Sequence, residues 1–177
     1  MLTVLIGGAR AGKSAQAERI ARNSGDDSVT FIATCPRLEG DDELAERIER
    51  HRSERPTEWA TVEEEIDLAG ALDRAGTSTA IIDCLTTWVA NMLHHGHSDL
   101  DVLREAEDAI AVVRWRDAST VVVTNEVGQG IVPADADTRR YRDLLGRVNQ
   151  QWVSVADRAY LMVSGRALEL HPIEDTS

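Results

Sequence analysis

Gly7-Gly8-Ala9-Arg10-Ala11-Gly12-Lys13-Ser14 is the stretch from which the rest of this 177-residue chain can be read. It follows an apolar run at 2–6 and opens into a segment of helical composition at 15–22. This is G-x-x-x-x-G-K-[ST] in the strand, loop, helix setting that the motif requires. The glycines let backbone N–H groups close around phosphate oxygens, and the helix that follows adds its positive N-terminal end. Lys13 then reaches the β and γ phosphates, and the Ser14 hydroxyl is placed to ligate Mg²⁺. A nucleoside triphosphate is the first ligand to expect, cradled by Gly7, Gly8, Ala9, Arg10, Ala11, Gly12, Lys13 and Ser14. A chance glycine-rich turn would leave the correct flanks unexplained. Composition adds an independent point: of 19 basic residues, Lys13 alone is lysine. A compact ammonium fits between phosphates where a planar guanidinium fork does not.

The length suits one domain, taken as 1–172 with a short tail at 173–177, within the usual range of about 100–200 residues. A formal net charge of −12 disfavours a nucleic-acid backbone as partner, since that needs a basic stripe. Basic residues must therefore act locally, on anionic small molecules. Cys35 and Cys84 lack C-x-x-C or zinc spacing and read as small buried apolar residues in a reduced, cytoplasmic setting. No stretch approaches the roughly 18 uninterrupted apolar residues of a membrane span.

Along the chain, 29–34 is a second β-rich run, which makes a βαβ unit and hence parallel strands. Residues 41–55 carry Leu44, Ala45 and Ile48 at helical spacing, acids early and arginines late, with Pro56 as the stop. A further helix is expected over 63–74. The apolar run 79–82 ending at Asp83 has the form of a Walker B strand, whose acid would hold Mg²⁺ directly or through water. Helices are expected over 86–93, 101–116 and 138–157, a buried strand over 120–124, and two strands, 160–163 and 167–170, joined through Ser164-Gly165. The fold class is therefore α/β: a single-domain P-loop nucleoside triphosphatase with a mostly parallel sheet flanked by helices. His94, His95 and His97 form a short polar cluster without carboxylate or cysteine support, and no transition metal is assigned to them.

Lys13 being the sole lysine, the guanine-reading N-K-x-D string of regulatory GTPases cannot occur. Asp67-Leu68-Ala69-Gly70 fits D-x-x-G, but on this reading follows a helical stretch and is taken as chance. The phosphate loop, Ile32-Ala33-Thr34, residues 47–56 around His51, Trp59-Ala60-Thr61-Val62-Glu63, residues 124–133 (TNEVGQGIVP) and Gly146-Arg147-Val148-Asn149-Gln150 together resemble the bifunctional adenosylcobinamide kinase and adenosylcobinamide-phosphate guanylyltransferase family of cobalamin biosynthesis. The likeness runs nearly end to end, and the His51 segment and the TNEVGxGIVP loop in that order are highly specific.

The resemblance implies two reactions. The terminal hydroxyl of the aminopropanol arm of adenosylcobinamide takes a phosphoryl group from ATP or GTP, and GTP then gives GMP to that phosphate, yielding adenosylcobinamide-GDP and pyrophosphate. It also implies a guanylylated histidine, here His51, a P-loop, RecA-like α/β sheet and a homotrimer. By position it brings Ala33, Thr34, Cys35, Arg52, Ser53, Glu54, Arg55, Glu63 and Asp83 near the nucleotide. A histidine three residues after Ile48 on an apolar stripe is ordinarily a packing residue. Arg50, Arg52 and Arg55 beside it are poor core chemistry and suit a triphosphate or a corrinoid phosphate, although pairing with Glu46, Glu49 and Glu54 is the plain alternative. Glu63 reads equally as a helix N-terminal acid. Glu126 and Arg147 match the family's motifs without an assignable step. Two other functions remain open at this point: a kinase of another small alcohol in which His51 is structural, and a nucleotide-switched binding protein without transfer activity.

Overall fold

Strand alternation decides the layers. Leu5, Phe31, Ile81, Val121 and Val123 point to one face of a central sheet, where they bury Ala17 and Ala21 of the first helix. Their neighbours Val4, Ile32, Ile82 and Val122 point to the other face and pack with Leu72, Trp88, Ala106, Leu144 and Val148. Strands buried on both faces read as continuous apolar runs, as parallel strands covered by helices do. The computed structural model describes residues 1–26, 28–35 and 56–173. Among these the order is β1 (Leu2–Gly7), α1 (Lys13–Arg22), β2 (Val29–Ala33), β3 (Ala60–Glu63), α2 (Leu68–Ala75), β4 (Thr79–Asp83), α3 (Leu85–His94), α4 (Asp99–Trp115), β5 (Thr120–Asn125), α5 (Ala136–Ser154), β6 (Arg158–Val163) and β7 (Arg166–Leu170).

The seven strands form one sheet in the order β3-β2-β4-β5-β1-β6-β7. All neighbours are parallel except β6 and β7. The chain leaves β1, crosses over through α1 and enters β2 three places away, so the loop after β1 opens beside β5 and near β4 at the carboxyl ends of the strands. That edge is where open α/β sheets bind ligands. The β6–β7 connection is the two-residue turn expected at Ser164-Gly165, with positive φ at both positions (49° and 76°), the primed turn that matches strand twist.

The helices lie within two or three residues of their expected bounds, with one exception. The helix expected over 63–74 is instead strand β3 followed by α2, and the acids at 64–67 belong to the connection between them. Four residues of an exposed edge strand carry too little apolar alternation to register as a strand, and pairing with β2 supplies what local sequence does not. Asp67-Leu68-Ala69-Gly70 accordingly follows a strand, contrary to expectation. Its role in the fold is local: Asp67 caps α2 by accepting from the Gly70 amide at 2.7 Å. No disulfide joins Cys35 and Cys84, and both are half-buried where buried residues were expected. The helix expected over 41–55 and the end of the tail at 174–177 lie outside the described residues. Among the described residues no helix is long and apolar enough to cross a membrane.

The cap is separable from the nucleotide chemistry. Asp67→Ala should lower stability by about 1 kcal/mol, read from the denaturation midpoint, and leave triphosphate turnover of the folded protein unchanged. A loss of turnover at full folding would give the D-x-x-G string a functional role.

Candidate functional site: the phosphate loop and its strand-end surround

The loop of residues 8–12 is held from two sides. On one side the Gly165 amide donates to the Ala11 carbonyl at 3.0 Å, and Gly12 lies so close that an added Cβ would stand 3.4 Å from the Gly165 Cα. Gly7 is tighter still, since a Cβ there would fall 2.3 Å from the Met162 carbonyl oxygen of β6. On the other side, the Glu126 amide beyond β5 donates to the Gly7 carbonyl at 3.2 Å. Gly12 itself takes φ of +90°, which a residue with a side chain adopts only with strain, and it starts α1 without any side-chain cap. The orphan amides of the first turn of α1 are thus left for an anion.

Lys13 folds back onto this frame. Only 7% of it is exposed, and its ammonium donates to the Gly7 carbonyl at 3.1 Å and to the Gly8 carbonyl at 2.7 Å. An ammonium has three donors, and these two carbonyls take two of them. Burial pulls its pKa below the ordinary 10.5, partly offset by the negative charge of Cys84 in its thiolate form and of Asp83. Ser14 is half-buried in the first turn of α1, and Asp83 is half-buried at the end of β4. A hydroxyl and a carboxylate are hard oxygen donors, the chemistry that Mg²⁺ accepts alongside phosphate oxygens. Burial, and then Asp83, push the Cys84 thiol up, so it stays protonated at neutral pH and is no nucleophile.

Polar side chains brace the strand ends around the loop. The Thr34 amide donates to the Asp83 carbonyl at 3.2 Å; its Oγ1 lies 2.8 Å from the Cys84 carbonyl and accepts from the Cys84 amide at 2.8 Å. Asn91 of α3 donates to the Thr34 carbonyl at 2.7 Å. Between β5 and the helices, Thr86 Oγ1 accepts from the Asn125 amide at 2.7 Å, Asn149 Nδ2 donates to the Asn125 carbonyl at 3.1 Å, and Asn149 Oδ1 accepts from Thr124 at 2.7 Å. Tyr141, its phenol pushed up to about 12 by burial, donates to the Thr86 carbonyl at 3.2 Å. Low dielectric makes such a network costly to break.

Of the residues expected in the site, Gly7, Gly8, Ala9, Arg10, Ala11, Gly12, Lys13 and Ser14 form the loop and Asp83 stands beside it. Ala33 ends β2 in register with Asp83, and Thr34 and Cys35 follow it. Glu63 is the last residue of edge strand β3, paired with Ala33 and separated from Asp83 by β2, so it is not a helix N-terminal acid. His51, Arg52, Ser53, Glu54 and Arg55 lie outside the described residues. His95 Nε2 stands 3.7 Å from the Glu65 carboxylate, and His94 meets His95 edge to face at 5.6 Å. Sequence reasoning missed the bracing roles of Thr34, Asn91 and Thr86. A signal existed for Asn91 and Asn149, which are amides on the buried stripes of their helices.

The loop, its buried lysine and the strand-end aspartate define a P-loop nucleotide-binding protein. Solved structures agree on the fold: the flagellar accessory protein FlaH from Methanocaldococcus jannaschii superposes with a TM-score of 0.51 at 13% identity, covering 96% of this chain and 77% of FlaH. An ATPase of a bacterial type III secretion system superposes at 0.55 and 11% identity, covering 90% and 51%. The sequence model of one family, described as cobinamide kinase / cobinamide phosphate guanyltransferase, matches residues 3–170, and the chain belongs to that family. Its relatives include the bifunctional adenosylcobalamin biosynthesis protein CobU of Escherichia coli, 39% identical over 96% of this chain and 99% of that protein. CobP of Pseudomonas aeruginosa, of the same description, is 36% identical over 96% and 97%.

A triphosphate raises the pKa of a lysine that burial has lowered, so binding takes up a proton over the interval between the two values. Affinity for ATP should be flat below the lowered pKa of the free enzyme and fall as pH rises through it, by up to about tenfold per unit. Calorimetric titration across the alkaline range checks this, and a flat affinity up to the ordinary lysine value of 10.5 would contradict it.

Proposed function

We propose that one phosphate loop serves both reactions of the family. ATP or GTP phosphorylates the terminal hydroxyl of adenosylcobinamide, and GTP then passes GMP through His51 to that phosphate, giving adenosylcobinamide-GDP and pyrophosphate. Membership of the family makes the chain a cobinamide kinase and cobinamide phosphate guanyltransferase. The observation that carries the shared loop is Lys13, buried against the Gly7 and Gly8 carbonyls with one donor left for phosphate.

In the kinase step the amides at the start of α1 and the Lys13 ammonium hold the triphosphate oxygens in line with the incoming hydroxyl. Ser14 and Asp83 would hold Mg²⁺, which when bound neutralises charge on the phosphate oxygens. Ala33, Thr34, Cys35 and Glu63, on the strand ends toward β3, suit the nucleoside side of the site. In the guanylyl step a nitrogen of His51 forms a bond to the α phosphorus, the bond from that phosphorus to the bridging oxygen breaks, and pyrophosphate leaves. The corrinoid phosphate then takes the GMP moiety, and the nitrogen–phosphorus bond breaks to restore the imidazole. Arg52, Ser53, Glu54 and Arg55 belong to this half of the site, with the guanidiniums matched to phosphate. Residues 1–172 act as one catalytic domain in this reading, in the cytoplasm and as the homotrimer that the resemblance implies.

With α-labelled GTP the wild-type protein should retain about one acid-labile, base-stable label per chain. His51→Ala should retain none and lose guanyl transfer, while transfer of the γ phosphate to cobinamide persists in part. Replacing His94, His95 and His97 together should leave labelling intact. Stoichiometric label on the His51→Ala protein would overturn His51 as the carrier.

A further inference from the structure

The TNEVGQGIVP loop carries a carboxylate that the two reactions as described do not use. We propose that Glu126 is the general base of the kinase step, the group that takes the proton from the cobinamide hydroxyl; this rests on the kinase reading above. Its position follows from the sheet. Strand β5 lies between β1, which carries the phosphate loop, and β4, which carries Asp83. In register, Asp83 stands level with Val123 and Gly7 with Asn125, so the chain runs past the level of Asp83 before it reaches Glu126. The Glu126 amide and the Lys13 ammonium then meet on one acceptor, the Gly7 carbonyl oxygen, at 3.2 and 3.1 Å. Glu126 is therefore anchored to the same backbone atom as the lysine that faces the transferred phosphate.

The side chain is held through one oxygen and open at the other. Glu126 Oε1 accepts from the Gly128 amide at 2.6 Å, which fixes the carboxylate within its own loop. Oε2 has no partner among the described residues, and no guanidinium or ammonium pairs with the carboxylate there. Of the described carboxylates at the strand ends, Asp83 is assigned to the metal ion, Glu63 lies on the far edge strand, and Glu64 just beyond it is paired with Arg74 at 2.7 Å. Glu126 is the one left whose backbone is bonded to Gly7 and whose carboxylate keeps an open oxygen.

The step balances without a further reactant. As the hydroxyl oxygen forms its bond to the γ phosphorus, the bond from that phosphorus to the β–γ bridging oxygen breaks and ADP departs with the electron pair. The hydroxyl proton passes to Glu126 Oε2 and from there to solvent. Asn149, which holds the Asn125 carbonyl, is a positioning residue for this loop.

Glu126→Gln tests the assignment, because the amide oxygen can still accept from Gly128 while the basic oxygen is gone. Rapid-quench transfer of the γ phosphate from ATP to cobinamide should slow by about 10²–10⁴-fold, with the dissociation constant for ATP within twofold of wild type. Transfer within threefold of wild type would overturn the proposal. So would a loss matched by an equal weakening of ATP binding, which would make Glu126 a loop-positioning residue only. Wild-type protein that transfers no phosphate to cobinamide would instead overturn the kinase reading on which the proposal rests.

Discussion

Everything at the carboxyl edge of the sheet depends on keeping one ammonium out of water. Lys13 gives up hydration that only compensating partners can replace, and the two nearest are carbonyls of its own loop. Those carbonyls must stay fixed for the arrangement to hold. The loop is accordingly clamped, by the turn of β6 and β7 through the Gly165 amide and by the far end of β5 through the Glu126 amide. Gly7 and Gly12 are where the clamp closes, one by contact distance and one by backbone conformation as well. The clamp leaves the amides at the start of α1 uncapped, so the same geometry that shelters the lysine presents the anion site.

Packing and chemistry are joined through the strand ends. The sheet core is apolar on both faces, but its carboxyl edge is tied by amides and hydroxyls: Thr34 to the Asp83–Cys84 segment, Asn91 to Thr34, Thr86 and Asn149 to Asn125. Asp83 and Glu126 therefore sit on backbone that is immobilised from two directions. Preorganised donors and acceptors are worth most where reorganisation during the reaction is smallest. Asn91 and Asn149 are buried for the sake of this edge, each with partners for its side-chain amide.

Much of this was readable from the residue order. The motif at 7–14, the apolar runs of β1, β2, β4 and β5, and the Ser164-Gly165 turn are local signals, and local signals survive into the fold. Edge strand β3 was not readable, because its stability comes from pairing with β2 and not from its own four residues. The same error misplaced Glu63 at a helix start and left Asp67 after a helix instead of after a strand. Thr34 was placed near the nucleotide by resemblance, whereas its bracing of Asp83 needed the register of β2 against β4. Glu126 stood in a recognisable motif without a step, and its backbone contact with Gly7 needed the strand order, which puts β5 between β1 and β4. His51 rests on sequence and family, since 36–55 is outside the described residues.

The central claim is that one buried lysine serves two chemistries. Lys13→Ala, followed in parallel for γ-phosphate transfer to cobinamide and for label retained from α-labelled GTP, tests it most directly. The account predicts that both fall together, each by at least about 10²-fold, in keeping with the loss of a preorganised charge at the transition state. Normal labelling of the Lys13→Ala protein beside a dead kinase would contradict it, and would place the guanylyl reaction on a second nucleotide site.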